Sequence, residues 1–222
     1  MSESQSGSVS GLQGRTLQRG SLKDGAVEVV RSALLAGEMV PGRIYSANSL
    51  AAQLGVSNSP VREAMMELAG KGLLEVVRNR GFRVVEMTDA DRQEVYDLRL
   101  MVEVPAVVEA ARQGLAGSDE AELRRLLEQV LATADSGDLR EYLDADQALH
   151  LRFVALLGNR RLCGIVENLR DQSRVRGSYR LAERGVLARS AQEHVPIVEA
   201  LIAGDADAVR SLMVDHLSYA RP

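Results

Sequence analysis

PGRIYSANSLAAQLGVSNSPVREAMMELAGKGLLEVVRNRGFRVV, residues 41–85, holds two helical patterns separated by a glycine, then two short β-branched runs. The first pattern covers Ser49 to Leu54, with Leu50, Ala51 and Leu54 inward, and Gly55 stands where a helix C-terminus favours a residue without a Cβ. The second starts after Ser57 to Ser59, whose hydroxyls can cap free backbone N–H groups, and Pro60 suits a first helical turn. Val61, Met65 and Leu68 then face the core. Leu74 to Val77 and Phe82 to Val85 read as a hairpin around an Asn79-Arg80-Gly81 turn. Upstream, Val27, Val30, Leu34 and Leu35 recur at helical spacing between Lys23 and Ala36, until GEMVPG stops the pattern.

Three helices followed by a two-stranded hairpin is the plan of a winged helix-turn-helix. Its third helix presents N-terminal residues to base edges in the major groove, and the hairpin tip reaches the backbone or the minor groove. Arg62 lies one turn into that helix, away from Val61 and Met65, placed for a phosphate or guanine contact. A lone charge there is equally well a solvated helix face. Arg78, Arg80 and Arg83 add a basic projection at the hairpin, which suits a polyanion.

The run LGVSNSPVREAM, followed by Gly72-Leu73 and Arg80-Gly81-Phe82-Arg83-Val84, resembles the DNA-binding domain of the GntR family of bacterial transcription regulators. The resemblance covers roughly residues 23–86. It implies a homodimer reading a short palindromic operator in double-stranded DNA, with Asn48, Ser57, Asn58, Ser59, Arg62, Arg80 and Gly81 as the contacting residues. Two positions depart from the pattern: Asn58 stands where members commonly carry Arg, and Ala47 where an acidic residue is common. Asparagine pairs with adenine through two hydrogen bonds, so the operator is expected to differ at that base.

At 222 residues, 45% hydrophobic and 26% charged, the chain has the composition of a soluble globular protein. No segment approaches the run of about 20 apolar residues that a membrane span requires, so no membrane association is expected. Residues 1–20, rich in Ser, Gly and Gln, lack the apolar core of a signal peptide and read as a disordered, uncleaved tail. The single cysteine, Cys163, excludes an intrachain disulfide and a cysteine zinc cluster, fits a reducing cytoplasm, and reads as a small core residue. Charge divides unevenly: residues 1–88 carry ten Lys and Arg against eight Asp and Glu, the remainder seventeen against twenty-three. The expected division is a tail (1–20), a winged helix-turn-helix (21–87) and an all-α domain (88–222).

Past a short linker around Thr88 to Ala90 the pattern is helical. Val95, Leu98, Val102 and Ala106 mark one helix, with Pro105 bending it. Ser118 can cap a second, carrying Leu123, Leu126, Leu127 and Val130; Leu139, Tyr142, Leu149, Phe153 and Leu156 mark a third; a fourth runs from about Arg160 to Leu181. Two more contain Ile197 with Leu201 and Val209 with Leu212, and Gly-Asp pairs at 137–138 and 204–205 sit where turns belong. The fold class is therefore mainly α, a winged helix-turn-helix followed by an antiparallel all-α bundle of six helices. All three histidines lie on bundle helices: His150, four residues after Asp146 and so on one face with it, His194 and His216. A histidine in isolation is more often a hydrogen-bonded core or surface residue. Three of them with a carboxylate at ligand spacing fit a divalent metal held between facing helices.

The second half resembles the FCD ligand-binding domain of the FadR subfamily of GntR regulators, whose pattern is D-x-x-x-H, then E-H-x-x-I with A-L, then M-x-x-H-L. Here these are Asp146 to His150, Glu193-His194-Val195-Pro196-Ile197 with Ala200-Leu201, and Met213-Val214-Asp215-His216-Leu217. The resemblance implies that Asp146, His150, His194 and His216 ligate the metal. Such a donor set suits Zn²⁺ first, with Ni²⁺ or Mn²⁺ also compatible. Arg99 resembles the arginine of the family's R-x-x-L-E segment and can pair a carboxylate beside the metal, or equally form an intrachain ion pair. A small organic acid is the implied effector and a repressor the implied role. The alternative is a metal-dependent enzyme with an attached DNA-binding domain, for which no general base, Gly-rich phosphate loop or G-x-S-x-G elbow is seen.

Overall fold

The structure, a computed structural model, describes residues 21–181 and 186–221, with the backbone alone for 176–181. The tail expected over residues 1–20 lies outside the described residues. The chain divides into two compact units, Met1–Met87 and Thr88–Pro222.

In the first unit, α1 (Leu22–Leu35) starts at Ser21, whose hydroxyl accepts the Asp24 amide at 3.1 Å. Strand β1 (Ile44–Tyr45) precedes α2 (Ala47–Leu54) and α3 (Asn58–Gly70). Ser46 caps α2 by accepting the Ser49 amide at 3.1 Å, so the helix begins two residues before the expected Ser49. Gly55 ends it at φ 67°, as its position predicts. Leu50, Ala51 and Leu54 of α2 and Val61, Met65 and Leu68 of α3 are all buried, as are Val30 and Leu34 of α1, which packs on α3. Ser57 occupies the N-cap of α3, but the expected hydroxyl capping does not occur. Ser57 makes no capping bond, and Ser59 lies inside the helix, where its hydroxyl donates to Glu63 one turn on, at 2.8 Å.

The hairpin β2 (Leu74–Val77) and β3 (Gly81–Val84) is part of a three-stranded antiparallel sheet of order β1-β3-β2, not an isolated pair. A two-residue strand carries too little alternation to be read from sequence. Tyr45, Phe82, Val84 and Leu74 are its buried side chains, and the Tyr45 hydroxyl accepts the Val40 amide at 2.9 Å. Gly81, expected in the turn, is the first residue of β3, opposite Val77. The turn is Arg78-Asn79-Arg80, with Asn79 taking the left-handed φ of 59°. Glycine is required at 81 for another reason: φ is +128°, and a Cβ would stand 2.3 Å from the Tyr45 carbonyl oxygen.

Among the described residues the second unit has six helices: α4 (Asp89–Gln113), α5 (Gly117–Ser136), α6 (Leu139–Ala155), α7 (Arg160–Leu181), α8 (Val186–Ile202) and α9 (Ala206–Leu217), the last running into a 3₁₀ turn, Ser218–Ala220. Helix α4 packs against α6, α7, α8 and α9, and α5 against α6 and α8. Thr88 begins α4 rather than a linker. Its hydroxyl accepts the Asp91 amide while Asp91 accepts the Thr88 amide, a reciprocal cap. Ser118 lies in the first turn of α5 and does not cap it, since the helix starts after Ala116. Both Gly-Asp pairs are joints: Gly137 and Gly204 turn left-handed, then Asp138 and Asp205 accept the first free amides of α6 and α9.

One expectation about the core is overturned. Leu98 is 47% exposed, while its neighbour Arg99 is 0% exposed and takes the inward place. The rotation of about 100° per residue puts only one of the two inside, and Arg99 has a partner there in Glu103. Cys163 is half-buried against Ala106, Val154 and Val166, a satellite of the core more than a member of it. Gly81→Ala is expected to destabilise the first unit by about 2–4 kcal/mol. The check is a thermal melt in which that unit's transition moves down and the bundle's stays; an unmoved first transition contradicts the Tyr45 contact.

Candidate functional site

Two sets of residues stand out, one in each unit. In the first, Ser46, Asn48, Asn58, Arg62, Arg78 and Arg80 line an open groove of about 500 Å³ between the N-terminal turns of α2 and α3 and the β2–β3 hairpin. Ser57 and Ser59 are exposed at the start of α3, with Arg62 one turn later on the same exposed side. Gly81 also lines the groove, as backbone. A bond not foreseen from the sequence joins the two helices: Asn58 Nδ2 donates to Asn48 Oδ1.

In the second unit, Asp146 and His150 of α6, His194 of α8 and His216 of α9 are all buried, and one ligand atom from each lies within 4.8 Å of the others. The Nε2 atoms of His194 and His216 each lie 3.1 Å from His150 Nε2, and Asp146 Oδ1 lies 3.1 Å from His194 Nε2. All four predicted ligands are thus brought together. The outer nitrogens show what the inner ones offer. His194 Nδ1 faces the Ala191 carbonyl at 3.3 Å, and His216 Nδ1 faces Glu193 Oε2 at 3.0 Å. Both acceptors fix the N–H on Nδ1, which leaves a lone pair on Nε2. His150 Nδ1 makes no hydrogen bond, but the Glu103 carboxylate 3.5 Å away favours the N–H on that side of the ring. Three imidazole lone pairs and a carboxylate oxygen facing one point repel one another unless a cation lies among them, so the donor set fits a divalent metal.

The charges around the cluster reinforce this. Burial, then the nearby Arg170 cation, pushes His194 down to about 4 and holds His150 well below its ordinary value. Burial, then His194, does the same for His216. The imidazoles are therefore neutral, the form that ligates. Asp146 divides its oxygens: Oδ1 faces the histidines, while Oδ2 accepts from Arg170 at 2.6 Å and from Arg174. Gln147 Oε1 accepts from the same two arginines, at 2.9 and 3.0 Å. Arg99 is in an intrachain pair, donating from Nε to Glu103 Oε1 at 2.6 Å and from a terminal nitrogen to Ser173 at 3.2 Å. Arg170 also reaches Glu103, at 3.3 Å. Burial opposes ionisation of Glu103, and Arg99, His150 and Arg170 overcome it, holding the carboxyl well below its ordinary range. Sequence reasoning missed Gln147, Arg170 and Arg174 as parts of the site, and gave no role to Glu103 and Glu193, which close the R-x-x-L-E segment and open the E-H-x-x-I pattern. The only signal for the arginines was their i,i+4 spacing on α7, which any surface pair can show.

Two outcomes follow from this geometry. Glu103→Ala strips buried Arg99 of its carboxylate and Arg170 of one of its two, and is expected to cost about 3–5 kcal/mol in urea unfolding; a loss under about 1 kcal/mol contradicts the buried network. An unfolded imidazole titrates near 6.5, above the folded value of His194. Lowering the pH from 6.5 towards 4 therefore protonates only the unfolded chain, and chelator-treated protein loses stability across that window. His194→Gln, also chelated, should lose less over the same range; equal slopes exclude a buried neutral His194.

Residues 22–84 match the family of bacterial regulatory proteins, gntR family, and residues 94–219 match the FCD domain. The chain is 31% identical over 133 residues to the HTH-type transcriptional regulator McbR of Escherichia coli (strain K12), a match spanning 60% of each protein. It is 32% identical over 174 residues to a probable D-xylose utilization operon transcriptional repressor of Paenarthrobacter nicotinovorans, over 78% of this chain and 75% of that one. The solved structure of E. coli McbR/YncC superimposes with a TM-score of 0.80 at 26% identity, covering 90% of this chain and 94% of that chain. Family and relatives are transcription regulators, which sets the enzyme alternative aside. With a winged helix-turn-helix followed by an FCD bundle, this chain belongs to the GntR family of bacterial transcription regulators.

Proposed function

We propose that the chain is a repressor that binds a palindromic operator as a homodimer and is released by a small carboxylate bound beside a divalent metal, Zn²⁺ first and Ni²⁺ or Mn²⁺ as alternatives. The observation that carries this reading is the convergence of Asp146 Oδ1 with three imidazole lone pairs inside the bundle. When bound, the metal would supply a positive centre and, if its coordination number exceeds the four residues that would hold it, positions for an effector oxygen. The contacts around the cluster join three guanidinium groups to two carboxylates, with Glu193 a third against His216, so the excess positive charge that would draw an anion is the metal's. A carboxylate near Arg99 competes with Glu103 for its guanidinium, which gives the effector a contact on α4. Regulation then requires only that the effector bind two arrangements of the dimer with different affinity.

Operator binding falls to Asn48, Ser57, Asn58, Ser59, Arg62, Arg80 and the Gly81 backbone, on the groove described above. A homodimer is supported by apolar side chains exposed on two packed helices, Leu98 and Met101 of α4 and Ile165 of α7, with Met101 70% exposed. Two-fold symmetry in the protein corresponds to a palindrome in the DNA. The repressor direction is supported by the D-xylose operon relative's name. None of the helices described is long and apolar enough to cross a membrane, and a cytoplasmic location follows from the operator reading.

Elemental analysis of wild type and His194→Ala is the test, with thermal shift against a panel of small carboxylates. The expected result is about one metal per wild-type chain and little in the variant. An acid at a hundredfold excess over its Kd should stabilise only the metal-loaded protein, by about 2.7 kcal/mol, a rise in Tm of about 5–10 °C. Metal-free wild type, purified without chelators, removes the metal and effector from this reading and leaves the operator.

A further inference from the structure

Asn48 is the second residue of α2 and Asn58 the first of α3, and both helix starts are anchored by buried neighbours, Ala47 and Leu50 on one side and Val61 on the other. Their backbones are therefore held while their side chains meet in the groove, where Asn58 Nδ2 donates to Asn48 Oδ1. An asparagine amide carries one acceptor and two N–H donors, and a half-turn about its terminal bond exchanges the two ends. A partner that accepts from Nδ2 selects one of these orientations as long as its own amide keeps Oδ1 turned toward it. It uses one hydrogen and leaves Oδ1 and a second N–H for something else.

From this bond we infer that Asn48 is a positioning residue that orients the Asn58 amide to read adenine, with Asn58 Oδ1 accepting from the adenine N6 amino group and the remaining N–H donating to N7. The inference rests on the operator reading above and adds a base and a second residue to it. Adenine offers one donor and one acceptor on its major-groove edge, which the oriented amide matches. Guanine offers two acceptors, N7 and O6, so the same orientation sets Asn58 Oδ1 against O6. An amide free to turn over presents its NH₂ group to O6 instead and discriminates less. A neutral hydrogen bond of this kind biases the two orientations by about two- to tenfold. The bidentate contact itself discriminates by about five- to a hundredfold or more.

The experiment is binding-site selection from randomised duplexes with the full chain, then anisotropy titrations of the selected operator and its single-base variants. The proteins are wild type, Asn48→Ala, Asn48→Asp and Asn58→Ala. Wild type is expected to select adenine at one position of each half-site, and Asn58→Ala to lose that preference. Asn48→Ala should lower the adenine-to-guanine affinity ratio at that same position by about two- to tenfold. Asn48→Asp keeps the acceptor and should keep the ratio, while its added negative charge weakens binding to every duplex alike. If wild type selects a palindrome but Asn58→Ala changes no base preference, the operator reading stands and this inference fails. It fails likewise if Asn48→Ala weakens all duplexes equally with the ratio intact. Selection of no sequence by wild type overturns the operator reading as well.

Discussion

The carboxylate of Asp146 is buried at the centre of the bundle, and its burial is tolerable only because each oxygen has a different set of partners. An isolated carboxylate in an apolar interior takes a proton rather than ionise. Here Arg170 and Arg174 of α7 fix one oxygen and leave the other towards the imidazoles. Those arginines are themselves buried and need Gln147 and Glu103 to complete their bonds, and Glu103 in turn holds Arg99. One charge inside the bundle thus commits residues on α4, α6 and α7 to defined rotamers. The histidines of α8 and α9 close the set from the other side, each held through its outer nitrogen.

This explains why the cluster of Asp146, His150, His194 and His216 was legible in the sequence and its supports were not. Ligand chemistry restricts residue type severely: only three histidines exist in the chain, and the Asp146 to His150 spacing places two donors on one helical face. Arginine and glutamate are common, and nothing in the spacing of Arg170, Arg174 or Glu103 separates an inward pair from a solvated one. The reversal of Leu98 and Arg99 has the same origin. Apolar periodicity assumes that charge stays outside, and a buried ion-pair network breaks that assumption over one stretch of helix. Elsewhere in α4 the pattern held, as at Val95 and Ala106.

Local backbone chemistry was the most readable level. Gly55, the Gly-Asp joints and the helices between them follow from which residues accept left-handed φ and which accept free amides. Where several hydroxyls competed, the choice among them was not readable: Ser46 and Thr88 cap, whereas Ser57, Ser59 and Ser118 do not. The extra strand escaped for lack of length, since Ile44 and Tyr45 form their ladder only because β3 lies beside them.

That small strand has a larger effect than its size suggests. Tyr45 is paired with Phe82, its carbonyl lies against Gly81, and the next residue, Ser46, caps the helix that carries Asn48. The hairpin and the start of α2 are thereby spliced into one stiff piece, a caliper with the hairpin tip as one jaw and the helix starts as the other. A caliper measures width. Duplexes differ in how readily their grooves open, narrow or kink, according to the stacking of base steps that no side chain touches. A duplex set into such a gap would be read in part mechanically, by the work needed to bring its sequence to that width.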